Sequence, residues 1–469
     1  MNIPSSLRLP LAIALLVPSL ALAQTPTPAQ QQLRAIYKEL VEINTTDSTG
    51  SCTQAADAMR VHLKAGGIPD ADLQLLVPPG GPKKGNLVAR LRGTGAKKPV
   101  LLLAHLDVVE AGDWSSDPFR LTEKDGYYYG RGIVDDKSMA AAFVASLIRM
   151  RQEGLRPERD IILALEADEE ILDANEMGIR WLLKNHRDLI DAEFALNEGA
   201  GVVLRDGRAQ RVGLQTSEKV SITYRLEATG PGGHSSQPSK DNAIFRLGAG
   251  LARLAGFDFP VALNETTRAF FEKIAPLQEP QVGADMRAVI AGQADAQALA
   301  RLSAVTGTNA QLRTTCVATQ LEGGIAPNAL PQRARATVNC RVLPGESVPE
   351  VQRTLLRVLA DERITVTPTH EPVTSAPSPL ARAILAPIEQ LAAEFWPGAP
   401  VVPTMSTGAT DGSFLRNAAI PTYGHSGMAL ETSDAVRIHG KDERIAVKSF
   451  DQGAEYLYRL VKLLAAPPR

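Results

Sequence analysis

Three short runs with consecutive aliphatic residues at their centres, "KGNLVARL", "KPVLLLAHLDVV" and "RDIILALEAD", set the strongest limit on how this chain can fold. A strand with no polar face must be covered on both sides. The segments around them, "QQLRAIYKELVEI", "CTQAADAMRVHLKAGG" and the alanine-rich "KSMAAAFVASLIRM", carry helical periodicity and supply the cover. Residues 24–216 therefore read as an α/β layered domain.

Near Ser217 the pattern changes. "KVSITYRLEATG" alternates apolar and polar residues, as a strand with one face in water does. Helical stretches follow, then strands "LRTTCVATQLEGG" and "ARATVNCRVLP", a helix "SVPEVQRTLLRVLADE" and a strand "RITVTPTH". Residues 217–370 read as an inserted α+β domain with an antiparallel sheet. The first pattern resumes over 371–469 with "PLARAILAPIEQLAAEFW", "IPTYGHSG" and "VKSFDQGAEYLYRLVKLLAA", so the first domain is expected to be discontinuous.

With 469 residues, 44% of them hydrophobic, the chain has material for two cores. Fifty basic against 52 acidic residues leave a net charge of -2, which gives no footprint for nucleic acid or an anionic membrane. The expected partner is a small molecule. The opening "MNIPSSLRLPLAIALLVPSLALAQ" has one arginine, an apolar run too short to span a bilayer, and Ala21, Leu22 and Ala23 in a small-x-small cleavage pattern. Residues 1–23 read as a signal peptide, so the protein is expected to be exported, periplasmic or secreted, with no membrane anchor after cleavage. Of the three cysteines, Cys316 and Cys340 could face each other on antiparallel strands, but buried free thiols are the expectation.

The candidate chemistry sits where apolar strands end, which is where open α/β sheets bind ligands. His105 and Asp107 close one strand; Asp168, Glu169 and Glu170 close another, and Glu198 in "FALNEGAG" a third. Asp135 and Asp136 precede the alanine-rich helix, and His439 stands in "RIHGKDERI". Taken singly, each has an ordinary explanation: a hydrogen-bonding histidine, helix-start carboxylates that complement the dipole, a solvated acidic loop. Together they form a nitrogen and oxygen donor set suited to paired divalent metals, zinc first. There is no G-x-S-x-G elbow, which makes a serine hydrolase a weak alternative, and no H-E-x-x-H, which excludes a thermolysin-like site.

In order along the chain, "LLLAHLDVV", "YYGRGIVDDKSMAAA", "ADEE", "NEG", "GPGGHSSQP", "IAPNALPQRARATVNCRVLPG", "TGATDGSFL" and "RIHGKDERI" resemble the di-zinc metallohydrolases that include aminoacylase, acetylornithine deacetylase, glutamate carboxypeptidase and carboxypeptidase S. The wording is most similar to the carboxypeptidase S and N-acyl-amino-acid hydrolase branch. The resemblance implies a zinc-peptidase-like catalytic domain with a central mixed sheet, and an inserted lid that closes over substrate and often mediates a homodimer. It implies two zinc ions, with cobalt or manganese as substitutes: His105 and Glu198 on one, Glu170 and His439 on the other, and Asp135 bridging. It also implies a cis bond between Asp135 and Asp136, Asp107 on the far nitrogen of His105, and Glu169 as general base. His234 would stabilise the oxyanion, while Asn328 and Arg341 would bind substrate, a salt bridge within the lid being the other role open to Arg341. Ser138 stands where the family usually has glycine, as does part of "EEILDANEMG". His62, His186, His370 and His425 carry no motif.

The expected activity is hydrolysis of an amide or peptide bond beside a free carboxylate, by a carboxypeptidase or N-acyl-amino-acid amidohydrolase. A dipeptidase is the nearest alternative, and a catalytically inactive metal- or peptide-binding protein the more distant one.

Overall fold

The wholly apolar runs lie side by side at the centre of an eight-stranded mixed sheet. The computed structural model describes residues 26–171 and 177–465; the expected signal peptide lies outside the described residues. Across the sheet the strands run Leu73–Leu76, Asn86–Leu91, Ile161–Glu166, Val100–His105, Phe194–Arg205, Thr422–Glu431, Arg208–Glu218 and Val401–Ser406. Val100–His105 is parallel to both its neighbours, and every residue of it and of Ile161–Glu166 is buried. Fully burying each of these leucines and isoleucines contributes about 1.5–3 kcal/mol. The expected covers lie on one face, where Pro28–Glu42, Cys52–Ala65, Lys137–Gln152 and Val447–Ala465 share one apolar core with the sheet, while the other face is covered by Gly178–Asn185, Arg187–Ile190 and Gly412–Asn417. Alanines Ala140, Ala141 and Ala142 are buried in Lys137–Gln152, so that helix can approach its neighbours closely.

The stretch 217–370 holds a four-stranded antiparallel sheet, in the order Thr315–Gly323, Arg333–Val342, Val220–Thr229, Ile364–Pro368. Burial alternates strictly along Arg333–Val342, the buried residues packing beneath Ala243–Ala255 and Val348–Leu359. The helices between residues 265 and 312 form a further core that includes Val402 of the large sheet's edge strand. They pack on the first sheet, not on the antiparallel one.

Cys316 and Cys340 are bonded to each other, contrary to the expectation of free thiols. They are paired directly across antiparallel strands, with Cα atoms 4.0 Å apart, so the register brings the two sulfurs together. Cys52 is the buried free cysteine among the described residues. No helix among these residues is long and apolar enough to cross a membrane.

Candidate metal centre

His105 is the last residue of its strand, and register places it beside Glu166, the last residue of the adjacent parallel strand. Its ring is almost fully buried, with Nδ1 3.0 Å from the Asp107 carbonyl oxygen. Nε2 points the other way, 3.0 Å from Asp135 Oδ1 and 3.7 Å from Glu198 Oε2. The second oxygen of Asp135 lies 3.1 Å from His439 Nε2, which is itself 2.9 Å from Glu170 Oε1. Asp135 therefore stands between two imidazoles, one oxygen to each. Ligand atoms of His105, Asp135 and Glu170 lie within 4.8 Å of one another, as do those of His105, Glu169 and Glu198.

The peptide bond from Asp135 to Asp136 is cis, as expected. Asp136 begins the helix Lys137–Gln152 through its carbonyl, which accepts from Met139 and Ala140, and its side chain makes no capping bond. Ser138 is buried and donates to the Val134 carbonyl, so the departure from glycine is absorbed within the first helical turn. The second departure falls partly on residues outside those described.

The Asp107 carboxylate faces the far nitrogen of His105, with Oδ1 3.6 Å from Nδ1, while the residue's own carbonyl oxygen stands nearer, at 3.0 Å. The same carboxylate accepts the backbone N–H groups of Glu169 at 3.3 Å and Glu170 at 3.0 Å. One strand end thus holds the next. Asp168 is ion-paired to Lys84, which leaves Glu169 and Glu170 facing the cluster. Although part of Glu169 is exposed, its surroundings hold its carboxyl well above the usual range, burial being the main cause and the Glu198 charge the second. The Asp135 and Glu170 carboxylates raise His439 to about 10.

Sequence reasoning missed the pair that supports this cluster. Arg131 donates to Glu443 at 2.9 Å, to the Gly440 carbonyl at 2.9 Å and to the His439 carbonyl at 3.3 Å. Glu443 in turn accepts the N–H groups of Gly132 and Val134, and that of Asp135 at 3.4 Å. Both side chains are nearly inaccessible. His439 has a left-handed backbone, with φ at 61°, and the Arg131 contacts brace that turn. Both residues stand in quoted motifs, but only the tertiary fold reveals a pair 312 positions apart.

A cavity of about 700 Å³ opens from Asp135, Glu169, Glu170, Glu198 and His439. His234, Asn328 and Arg341 do not line it. His234 is exposed on a two-residue bridge beside Asn328, whose carbonyl accepts from Ser235. Arg341 donates to Asn339 and has no ion pair among the described residues, so the alternative lid salt bridge is not formed. Of the histidines set aside, His425 is buried between the Gly213 carbonyl and the Tyr456 hydroxyl, and burial pushes it down to about 4.

Residues 101–463 match the model of peptidase family M20/M25/M40. The N-fatty-acyl-amino acid synthase/hydrolase PM20D1 of Xenopus tropicalis is 30% identical over 373 residues, covering 78% of this chain and 72% of that protein. A probable carboxypeptidase S-like 2 protein of Dictyostelium discoideum is 28% identical over 389 residues, covering 78% and 71%. Among solved structures, the M20 family metallo-carboxypeptidase Sso-CP2 from Sulfolobus solfataricus shares the fold, with TM-score 0.65 and 18% identity, over 93% of this chain and 99% of that one. With its strand-end donors gathered around Asp135, the chain belongs to peptidase family M20/M25/M40 and is a metallohydrolase of the carboxypeptidase and acylase kind.

Proposed function

We propose that this protein is an exported, zinc-dependent hydrolase of an amide or peptide bond next to a free carboxylate. The observation that carries the reading is Asp135, whose two oxygens face two imidazoles, with Glu198 beside the first and Glu170 beside the second. His105 and Glu198 would hold one ion, Glu170 and His439 the other, with Asp135 shared. Imidazole and carboxylate donors suit zinc, and tolerate cobalt or manganese. Such ions, when bound, lower the pKa of bound water to about 7 and polarise a carbonyl.

Glu169 is the carboxylate left for proton transfer. It would take a proton from the attacking water and later deliver it to the leaving amine. Asp107 fixes the backbone of Glu169 and Glu170 together, so base and ligand keep a constant spacing. His234 would stabilise the oxyanion, and Asn328 and Arg341 would bind substrate, the guanidinium gripping its carboxylate. They would reach the cavity when the antiparallel sheet of the 217–370 insert closes as a lid over the discontinuous domain of 24–216 and 371–469, or from the insert of a second subunit. Exposed Phe245, Val317 and Leu321 support an insert-mediated homodimer. The Cys316–Cys340 bond supports export, since disulfides persist in oxidising compartments.

The test is amine release from N-acyl amino acids and from dipeptides with free or amidated C-termini, with zinc and with chelator. Zinc-dependent cleavage that disappears on amidation is the expected result. Full activity in Glu169→Gln would overturn the mechanism, and a requirement for a free amine would make the protein a dipeptidase.

A further inference from the structure

The cavity has a charged far end. Along Arg208–Glu218, Val212 and Leu214 pack into the main core, while Arg211, Gly213 and Gln215 face the cavity. Arg211 pairs across the hairpin with Val203. Counted along the strand from Glu198 to Val203, this is roughly 16 Å from the metal donor. Small residues, Gly199, Ala200, Gly201 and Gly213, line the cavity between them. The facing wall is apolar, with Phe270, Ile274, Met286 and Met405. Among the described residues, the Arg211 side chain has neither an ion pair nor a hydrogen bond. Burial, and then the like charge of Arg205, lower its pKa, which marks a cation short of a counter-ion.

We propose that Arg211 is a specificity-determining residue that binds a carboxylate at the distal end of the substrate, the reacting amide lying at the metal donors and an apolar segment spanning the cavity between. The proposal rests on the amide-hydrolase reading above and names its substrate class: N-acyl amino acids bearing a second carboxylate. That carboxylate belongs either to the acyl chain or to the amino-acid side chain, and the guanidinium fork recognises both alike.

The experiment compares the zinc-loaded protein on matched pairs. Glutaryl-, adipoyl- and suberoyl-leucine are each set against the acyl group ending in a primary amide, and hexanoyl-glutamate against hexanoyl-glutamine. A preference of about ten- to a hundredfold in kcat/KM for the carboxylate member is expected, the range for a charge-assisted hydrogen bond. Whichever pair shows it identifies the end that carries the anion. Arg211→Gln should abolish the preference and leave the neutral member within about twofold. Absence of preference in every pair, or an equal loss on both members in Arg211→Gln, would overturn the assignment. Calorimetric binding of adipate against its monoamide decides the matter without turnover. A tighter dianion whose advantage is lost in Arg211→Gln supports Arg211 even if no amide is cleaved, in which case the hydrolase reading alone fails; equal affinities reject it.

Discussion

Arg131 and Glu443 reach both sides of the donor cluster at once, and neither is exposed to water. Arg131→Met leaves a carboxylate buried without its partner, which costs about 3–5 kcal/mol. A lower midpoint in urea unfolding should report it. Arg131→Lys keeps the charge but cannot span Glu443 and two carbonyls together. Its expected effect is faster loss of zinc to a chelator, with the fold retained. His439 gives a pH signature. Its pKa near 10 in the metal-free protein lies above the unfolded value of about 6.5, so its contribution to stability is complete below that value and is lost as pH rises towards 10. The Tm of chelated protein should fall across this window, and zinc added at pH 7 should release protons, measurable by calorimetry in buffers of different ionisation heat. The donors were legible in the sequence because each closes an apolar run or sits in a motif. Glu443 and Arg211 were not, since their meaning depends on what distant segments place beside them.

Among the elements, the apolar strands and the alternating lid strands could be read directly, because burial on two faces or on one leaves opposite imprints in sequence. Two features escaped that reading. One is the Cys316–Cys340 bridge, which depends on a register that no single strand encodes. In the chain-entropy account, closing the 24-residue separation contributes about 3 kcal/mol, so replacing both cysteines with alanine should lower the unfolding free energy measured in urea by about that amount without changing zinc binding. The other is the destination of the helices between 265 and 312. An amphipathic face states that it must be buried, but not against which sheet.

At the scale of the whole molecule, those helices join the insert to the large sheet through Phe271, Leu302 and Val402. Phe271 is fully buried and lies next to Phe270, which lines the cavity. Phe271→Ala should destabilise the protein by about 3–5 kcal/mol. It should also raise KM more than it lowers kcat, as measured by steady-state kinetics on the best acyl amino acid, because the donors themselves lie outside that core. The donors come from strand ends and loops of the large sheet, whereas Phe270, Ile274 and Met286 come from the helices between residues 265 and 312. The metal donors and most of the apolar wall thus reside in separately encoded stretches of chain, while Arg211 stays with the donors on the large sheet. A lineage could exchange the insert helices for others and acquire a new diet while inheriting its chemistry unchanged.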